Sequence, residues 1–228
     1  MEDRMPLSYE DMIPQNIGEK HVACVLLVDI SGSMNGRSIA ELNEGLQEFG
    51  RALAQDGQAR GCADVCIISF NTGVQTVVPF CPAVNYMAPQ LSAGGLTCMN
   101  QAILEGLNAI EERKNLYKSY GIPYFRPWIF LLTDGEPTDT ENEGAAKQRL
   151  WDAVNSKKVN FFPMGIGNAN IAKLKGYTAG GNGMVLKASE KEFKEAFVWL
   201  SSSISMVTNS IGESAVQPPQ MPPMIEIL

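Results

Sequence analysis

The run Val25-Leu26-Leu27-Val28-Asp29-Ile30-Ser31-Gly32-Ser33 closes an apolar stretch with one carboxylate and then two hydroxyls at alternate positions. All three are oxygen donors, and such a set suits a hard divalent cation, Mg2+ or Mn2+. No thiolate or imidazole stands with them, so zinc and copper are poorly matched. Two other places offer the same chemistry. Thr97 follows the glycines of Gly94-Gly95-Leu96, and Asp134 follows the apolar run Trp128-Ile129-Phe130-Leu131-Leu132 in Thr133-Asp134-Gly135. The candidate metal ligands are therefore Asp29, Ser31, Ser33, Thr97 and Asp134. Each has a simpler alternative. Asp29 could cap a helix, Ser31 and Ser33 could shape a turn, Thr97 could cap the helix near Met99, and Asp134 could be a turn acid. Their occurrence together, in order and at strand ends, favours the metal reading. Glu136 and Asp139 read as solvated surface near the site.

The elements that must position these residues follow from apolar periodicity. The run at 25–28 reads as a strand buried on both faces, as in a parallel sheet, and the first strand covers about 21–29. The carboxyl ends of such strands are where open α/β sheets place their ligands. Ile39, Leu42, Leu46, Phe49 and Leu53 mark one helix face, with Ser38 and Asn35 able to supply capping oxygen. Strands at 62–70 and 74–80 flank the short turn Asn71-Thr72-Gly73, which implies an antiparallel pair. Met99, Ile103, Leu107 and Ile110 mark a second helix, and the charged, tyrosine-rich stretch 111–126 reads as a long connection. Then come the strand ending at Leu132 and a helix over about 141–157 capped by Asp139 or Thr140. A strand over 159–166, a short helix near 169–175, a glycine turn at 180–183 and a strand at 184–187 follow. The last helix is marked by Phe193, Phe197, Leu200 and Ile204. This order gives an α/β protein with a single doubly wound, mostly parallel sheet, one antiparallel edge strand and helices on both faces. The organisation is an N-terminal arm at 1–20, one domain at 21–206 and a proline-rich tail at 207–228. The tail reads as disordered or extended, although its apolar end, Met224 to Leu228, could dock on this domain or on a partner.

Composition removes several function classes. The net charge of -7 over 228 residues, with no basic stripe, argues against a nucleic-acid partner. Acids stand at Glu2 and Asp3 with no apolar region after them, and no apolar run approaches the roughly 20 residues that span a bilayer. A cytoplasmic protein with no membrane partner is expected. Cys24, Cys62, Cys66, Cys81 and Cys98 are odd in number and form no CxxC pair, so they read as small buried hydrophobes. Cys98, beside Thr97, is the one to watch for redox chemistry. His21 is the single histidine, which removes histidine triads and multi-histidine metal sites. The glycines at 94–95 and 180–183 lack both G-x-G-x-x-G and a P-loop lysine, so they read as turns.

Taken together, D-x-S-x-S at 29–33, the threonine at 97 and the aspartate at 134 resemble the metal-ion-dependent adhesion site of the von Willebrand factor type A domain. Strand and helix order agrees with that family along residues 21–206. The stretch Tyr117 to Asp139, with Gly-Ile-Pro-Tyr-Phe-Arg-Pro-Trp-Ile-Phe-Leu-Leu-Thr-Asp-Gly-Glu-Pro-Thr-Asp, is similar to the bacterial tellurite-resistance-associated TerY-like group. The resemblance implies a cytoplasmic, non-enzymatic module of a stress-response system that works with kinase and phosphatase partners. It implies that Asp29, Ser31 and Ser33 hold Mg2+ (or Mn2+) directly or through water, with Thr97 adding a hydroxyl and Asp134 acting through water. A Glu or Asp of a protein partner then completes the coordination. Two alternatives stand beside this reading. Asp29 could serve phosphotransfer or accept phosphate, although the second acid of a D-x-D pair is replaced by Ser31 and no lysine stands at a strand end. Exposed Ser and Thr residues could also be substrates of a partner kinase.

Overall fold

Strand β1 (Val22–Asp29) is buried along its whole length because its alternating side chains feed two different cores. Val22, Cys24, Leu26 and Val28 face one core, and Ala23, Val25 and Leu27 face the other. In this computed structural model the described residues are 8, 10–178, 181, 184–189, 193–210 and 226–227. After β1 come α1 (Arg37–Gln55), the short α2 (Ala59–Cys62), β2 (Ala63–Phe70) and β3 (Val74–Pro82). Then follow α3 (Met99–Tyr120), β4 (Trp128–Thr133), α4 (Glu143–Asn155), β5 (Asn160–Ile166), α5 (Ile171–Lys175), β6 (Leu186–Ala188), α6 (Phe193–Thr208) and β7 (Glu226–Ile227).

The sheet order is β3-β2-β1-β4-β5-β6-β7. Strands β2, β1, β4, β5 and β6 run parallel, and β3 pairs antiparallel with β2, as the short turn requires. A second antiparallel strand closes the other edge, where Glu226 and Ile227 pair with Lys187 and Leu186. Two residues are too few to carry a strand signature, so periodicity could not reveal it. The intervening 211–225, and Gly180, Asn182 and Gly183 of the expected glycine turn, lie outside the described residues. Helices α1 and α6 cover one face through Leu42, Leu46, Phe49, Phe197, Leu200 and Ile204. Helices α3, α4 and α5 cover the other through Met99, Ile103, Ile110, Ala146, Leu150 and Leu174. Among the described residues no helix is long and apolar enough to cross a membrane.

Two local expectations are corrected. Helix α3 continues through Tyr120 and stops at Gly121, whose φ of +66° a side chain would resist, so 111–120 is helix and not a long connection. The periodicity fails there because the buried positions are polar. Arg113 and Tyr117 reach beneath the sheet to Asp64 at the start of β2, where Arg113 Nη2 lies 3.0 Å from Asp64 Oδ2 and the Tyr117 hydroxyl donates to the same oxygen. His21 Nδ1 lies 3.1 Å from it as well. At the start of α1, the cap position is Gly36 with no side-chain cap; Asn35 Oδ1 only accepts from the Gly36 N–H at 2.9 Å, and Ser38 is buried.

The chain leaves β1 outward to β2 and β3, then returns to β4 on the other side of β1. The order therefore reverses between β1 and β4, and the crevice beyond their carboxyl ends is the natural ligand position of an open α/β sheet. Asp29 ends β1, and Asp134 follows the last residue of β4.

Candidate metal centre

Asp29 is fully buried at this crevice. Its Oδ1 accepts the Ser31 N–H at 2.8 Å, and its Oδ2 accepts the Thr133 hydroxyl. Burial pushes the Asp29 carboxyl above the usual carboxylate range; the hydrogen bonds from Ser31 and Thr133 oppose this, and the negative charge of Asp134 adds to it. The hydroxyls of Ser31 and Ser33 lie 3.1 Å apart, and Ser33 donates to Asp134 Oδ1 at 2.6 Å. Thr97 is buried at the opposite wall. The five residues do converge. A Cβ placed on Gly135 would lie 3.6 Å from Thr97 Oγ1, 3.7 Å from Ser33 Oγ and 3.8 Å from Asp29 Oδ2. Three oxygens, two from the end of β1 and one from the loop before α3, thus border one small space beside a residue of the loop after β4 that has no side chain to fill it. Among the described residues no three His, Cys, Asp or Glu side chains gather as a metal site. The donors here are two carboxylates and three hydroxyls, a set that fits Mg2+ or Mn2+ and not a thiophilic metal.

Backbone hydrogen bonds weld the loops that carry these donors. Gly32 N–H donates to Gly95 O at 3.0 Å, Gly94 N–H to Ile30 O at 2.8 Å, and Cys98 N–H to Asn71 O at 2.7 Å. The Thr97 N–H donates to Thr138 Oγ1 at 3.1 Å, and the Thr138 N–H returns to Thr97 O at 2.9 Å. Thr97 and Asp134 are therefore held in fixed relation through the segment that separates Asp134 from Thr138.

Asp139 was expected at the solvated surface or as a cap of the next helix; it does neither. It is buried and crosses to α3, where Oδ1 accepts the Asn100 N–H at 3.2 Å and Oδ2 the Gln101 N–H at 2.7 Å. The residue before this helix, Cys98, offers it no side-chain cap, so Asp139 supplies from another loop the acceptor that the helix start lacks. Asn100 also donates to Asp139 O at 2.9 Å and accepts the Tyr177 hydroxyl at 2.7 Å. Sequence reading missed Thr133, Thr138 and Asn100 because each acts through a contact distant in the chain. Glu136 is exposed, as expected, and accepts Asn170 Nδ2 at 2.7 Å. Cys24, Cys62, Cys66 and Cys81 are buried free thiols. At Cys98, burial and then the charges of Asp139 and Glu141 push the thiol up, the direction that disfavours thiolate chemistry.

Comparison with known proteins agrees with this fold. The family model of the von Willebrand factor type A domain matches residues 24–197. The chain belongs to that family. Von Willebrand factor type A domains commonly mediate protein–protein interactions. Inter-alpha-trypsin inhibitor heavy chain H1 of Mesocricetus auratus is 27% identical over 139 residues, which span 57% of this chain and 14% of that protein. Among solved structures, the open conformation of the pilus adhesin SpaC from Lactobacillus rhamnosus GG superposes with a TM-score of 0.66 at 17% identity, covering 86% of this chain and 31% of the adhesin. The von Willebrand factor domain of the type V pili tip protein Mfa5 from Porphyromonas gingivalis gives 0.60 at 11% identity, covering 86% and 99%. The ArnB paralog VWA2 from Sulfolobus acidocaldarius gives 0.54 at 20%, covering 78% and 44%. At these identities the structural likeness is one of fold.

Proposed function

We propose that this von Willebrand factor type A domain is a metal-dependent protein-interaction module without enzymatic activity. The observation that carries the reading is the convergence of Asp29 Oδ2, Ser33 Oγ and Thr97 Oγ1 on the space beside Gly135. Asp29, Ser31, Ser33, Thr97 and Asp134 would hold Mg2+ there, and the bound ion supplies an electrophilic position that a carboxylate of a partner completes. Asp29 and Asp134 contribute the charge, the hydroxyls contribute neutral oxygens, and the welded loops keep all five in place at little cost of ordering. Metal and partner are then linked, each raising the other's affinity by the same factor. The TerY-like stretch Tyr117 to Asp139 supports placing the module in a cytoplasmic, bacterial stress-response setting with a kinase and a phosphatase nearby. The alternative, phosphotransfer through Asp29, gains no support: both of its oxygens are engaged, and no lysine stands in the loops around it.

The reading is tested by thermal and urea unfolding in Mg2+ and in chelator, beside the Ser31→Ala/Ser33→Ala protein. Mg2+ at a hundredfold excess over its dissociation constant should stabilise the wild type by about 2.7 kcal/mol and leave the variant unmoved. Equal responses of the two proteins at every metal concentration would count against the site.

A further inference from the structure

Five loops surround the crevice between β1 and β4: 30–36, 71–73, 91–98, 134–142 and 167–170. None of these five contains a lysine or arginine, whereas the chain between β6 and α6, two strands away, carries Lys191. Together with Asp29 at the end of β1 they hold Asp134, Glu136, Asp139 and Glu141. Asp139 is buried as the cap of α3, whereas Glu136 and Glu141 are exposed. Glu136 stands one residue from Gly135, and consecutive Cα atoms are about 3.8 Å apart. It is steadied there by Asn170 Nδ2 at 2.7 Å. Glu141 lies in the turn Thr140–Asn142 directly after Asp139, whose carboxylate is fixed to the first turn of α3 by the Gln101 N–H at 2.7 Å, close in the chain to Thr97. Arg37, the cation next in sequence after the first loop, is engaged with Glu41 at 3.2 Å.

This rim does not make the site, but it sets what the site accepts. Asp29 and Asp134 offset much of the ion's charge, so the open position still takes an acid but draws a bare one less strongly. Glu136 and Glu141, exposed in the loop that carries Asp134, add charge of the same sign as an incoming carboxylate and disfavour it. We propose that the acid this site receives comes from a partner segment that carries lysine or arginine beside that acid, the cations meeting Glu136 and Glu141. The inference rests on the metal-dependent reading above and adds the chemistry of the partner. Attraction at the rim and repulsion of polyacidic segments together give selectivity that the metal alone lacks, since any carboxylate can ligate a metal.

Three biotinylated peptides immobilised at equal density test it: Ala-Ala-Glu-Ala-Ala, Lys-Ala-Glu-Ala-Lys and Glu-Ala-Glu-Ala-Glu. Only binding that chelator abolishes, and that Asp29→Ala lacks, is counted, which removes plain charge attraction to lysine. The wild type should prefer the lysine-flanked peptide over the alanine-flanked one by about fivefold and should bind the all-acidic peptide weakest. Glu136→Lys/Glu141→Lys, which leaves all five metal ligands in place, should reverse the order. Chelator-sensitive binding of equal strength to all three peptides would overturn the rim inference while leaving the metal reading intact. Absence of chelator-sensitive binding to every peptide, in both proteins, would overturn the metal reading and the inference with it.

Discussion

Two carboxylates are buried at opposite ends of neighbouring strands, and the fold treats them differently. Asp64 opens β2 and Asp29 closes β1; both are 0% exposed. Asp64 Oδ2 meets the Arg113 guanidinium at 3.0 Å, the His21 ring at 3.1 Å and the Tyr117 hydroxyl. Asp29 meets one backbone N–H and one hydroxyl, both neutral, and its nearest charged neighbour in the site is another acid. A buried charge is costly unless it is paired. At Asp64 the counter-charge is built into α3. At Asp29 no cation is built in among the described residues, and the metal proposed above would supply it in the space beside Gly135. Charge compensation thus separates a carboxylate that holds the fold from the one to which we assign the metal.

The comparison breaks most readily at Asp64. Asp64→Ala leaves the Arg113 charge buried without its acid and should cost about 3–5 kcal/mol in urea unfolding. If that protein does not fold, Asp64→Asn with Arg113→Met removes both charges and should recover most of the loss. A cost below about 1 kcal/mol for Asp64→Ala would mean that Arg113 is solvated in the folded state and that the two ends are not opposites. A smaller effect is expected from Asp139→Ala, which takes the acceptor from the first turn of α3. It should cost about 1–2 kcal/mol and also weaken Mg2+ binding in calorimetry, because the Thr97 and Asp134 loops share that clip. Loss of stability with unchanged Mg2+ affinity would confine Asp139 to helix capping.

The difference between the two ends also explains what the chain made legible. The convergence of Asp29, Ser31, Ser33 and Asp134 could be read because they sit in short local patterns, Asp29-x-Ser31-x-Ser33 and Thr133-Asp134-Gly135, placed after uniform apolar runs. The mostly parallel sheet, the antiparallel β3 edge and helices on both faces followed from the same runs, whereas which helix covers which face did not. The other end could not be read, since Asp64, Arg113, Tyr117 and His21 are far apart in sequence and polar. Their burial falls where a periodicity count sees only charge, and α3 therefore looked too short by its last turns. Asp139 failed for a related reason: an acid in a polar loop gives no local sign that its acceptor duty lies on a helix starting some forty positions earlier. The β7 pairing was hidden by its length.

The smallest predicted effect carries the sharpest sign. Burial raises the Asp29 carboxyl above its unfolded value. Between the ordinary aspartate range and that raised value, the folded protein keeps a proton that the unfolded chain has released. Stability without metal therefore falls as pH rises through this window. Asp29→Asn removes the charge but keeps an oxygen to accept the Ser31 N–H. It should raise metal-free stability at pH 7 by about 1 kcal/mol, flatten the acid-side slope and abolish the Mg2+ response. Asp64→Asn, the same substitution at the other end, should lower stability and leave the Mg2+ response in place. Opposite signs for one chemical change at two buried carboxylates are what external and internal compensation require. If Asp29→Asn destabilises the metal-free protein as Asp64→Asn does, Asp29 already has its counter-charge within the fold, and the space beside Gly135 is not waiting for a cation.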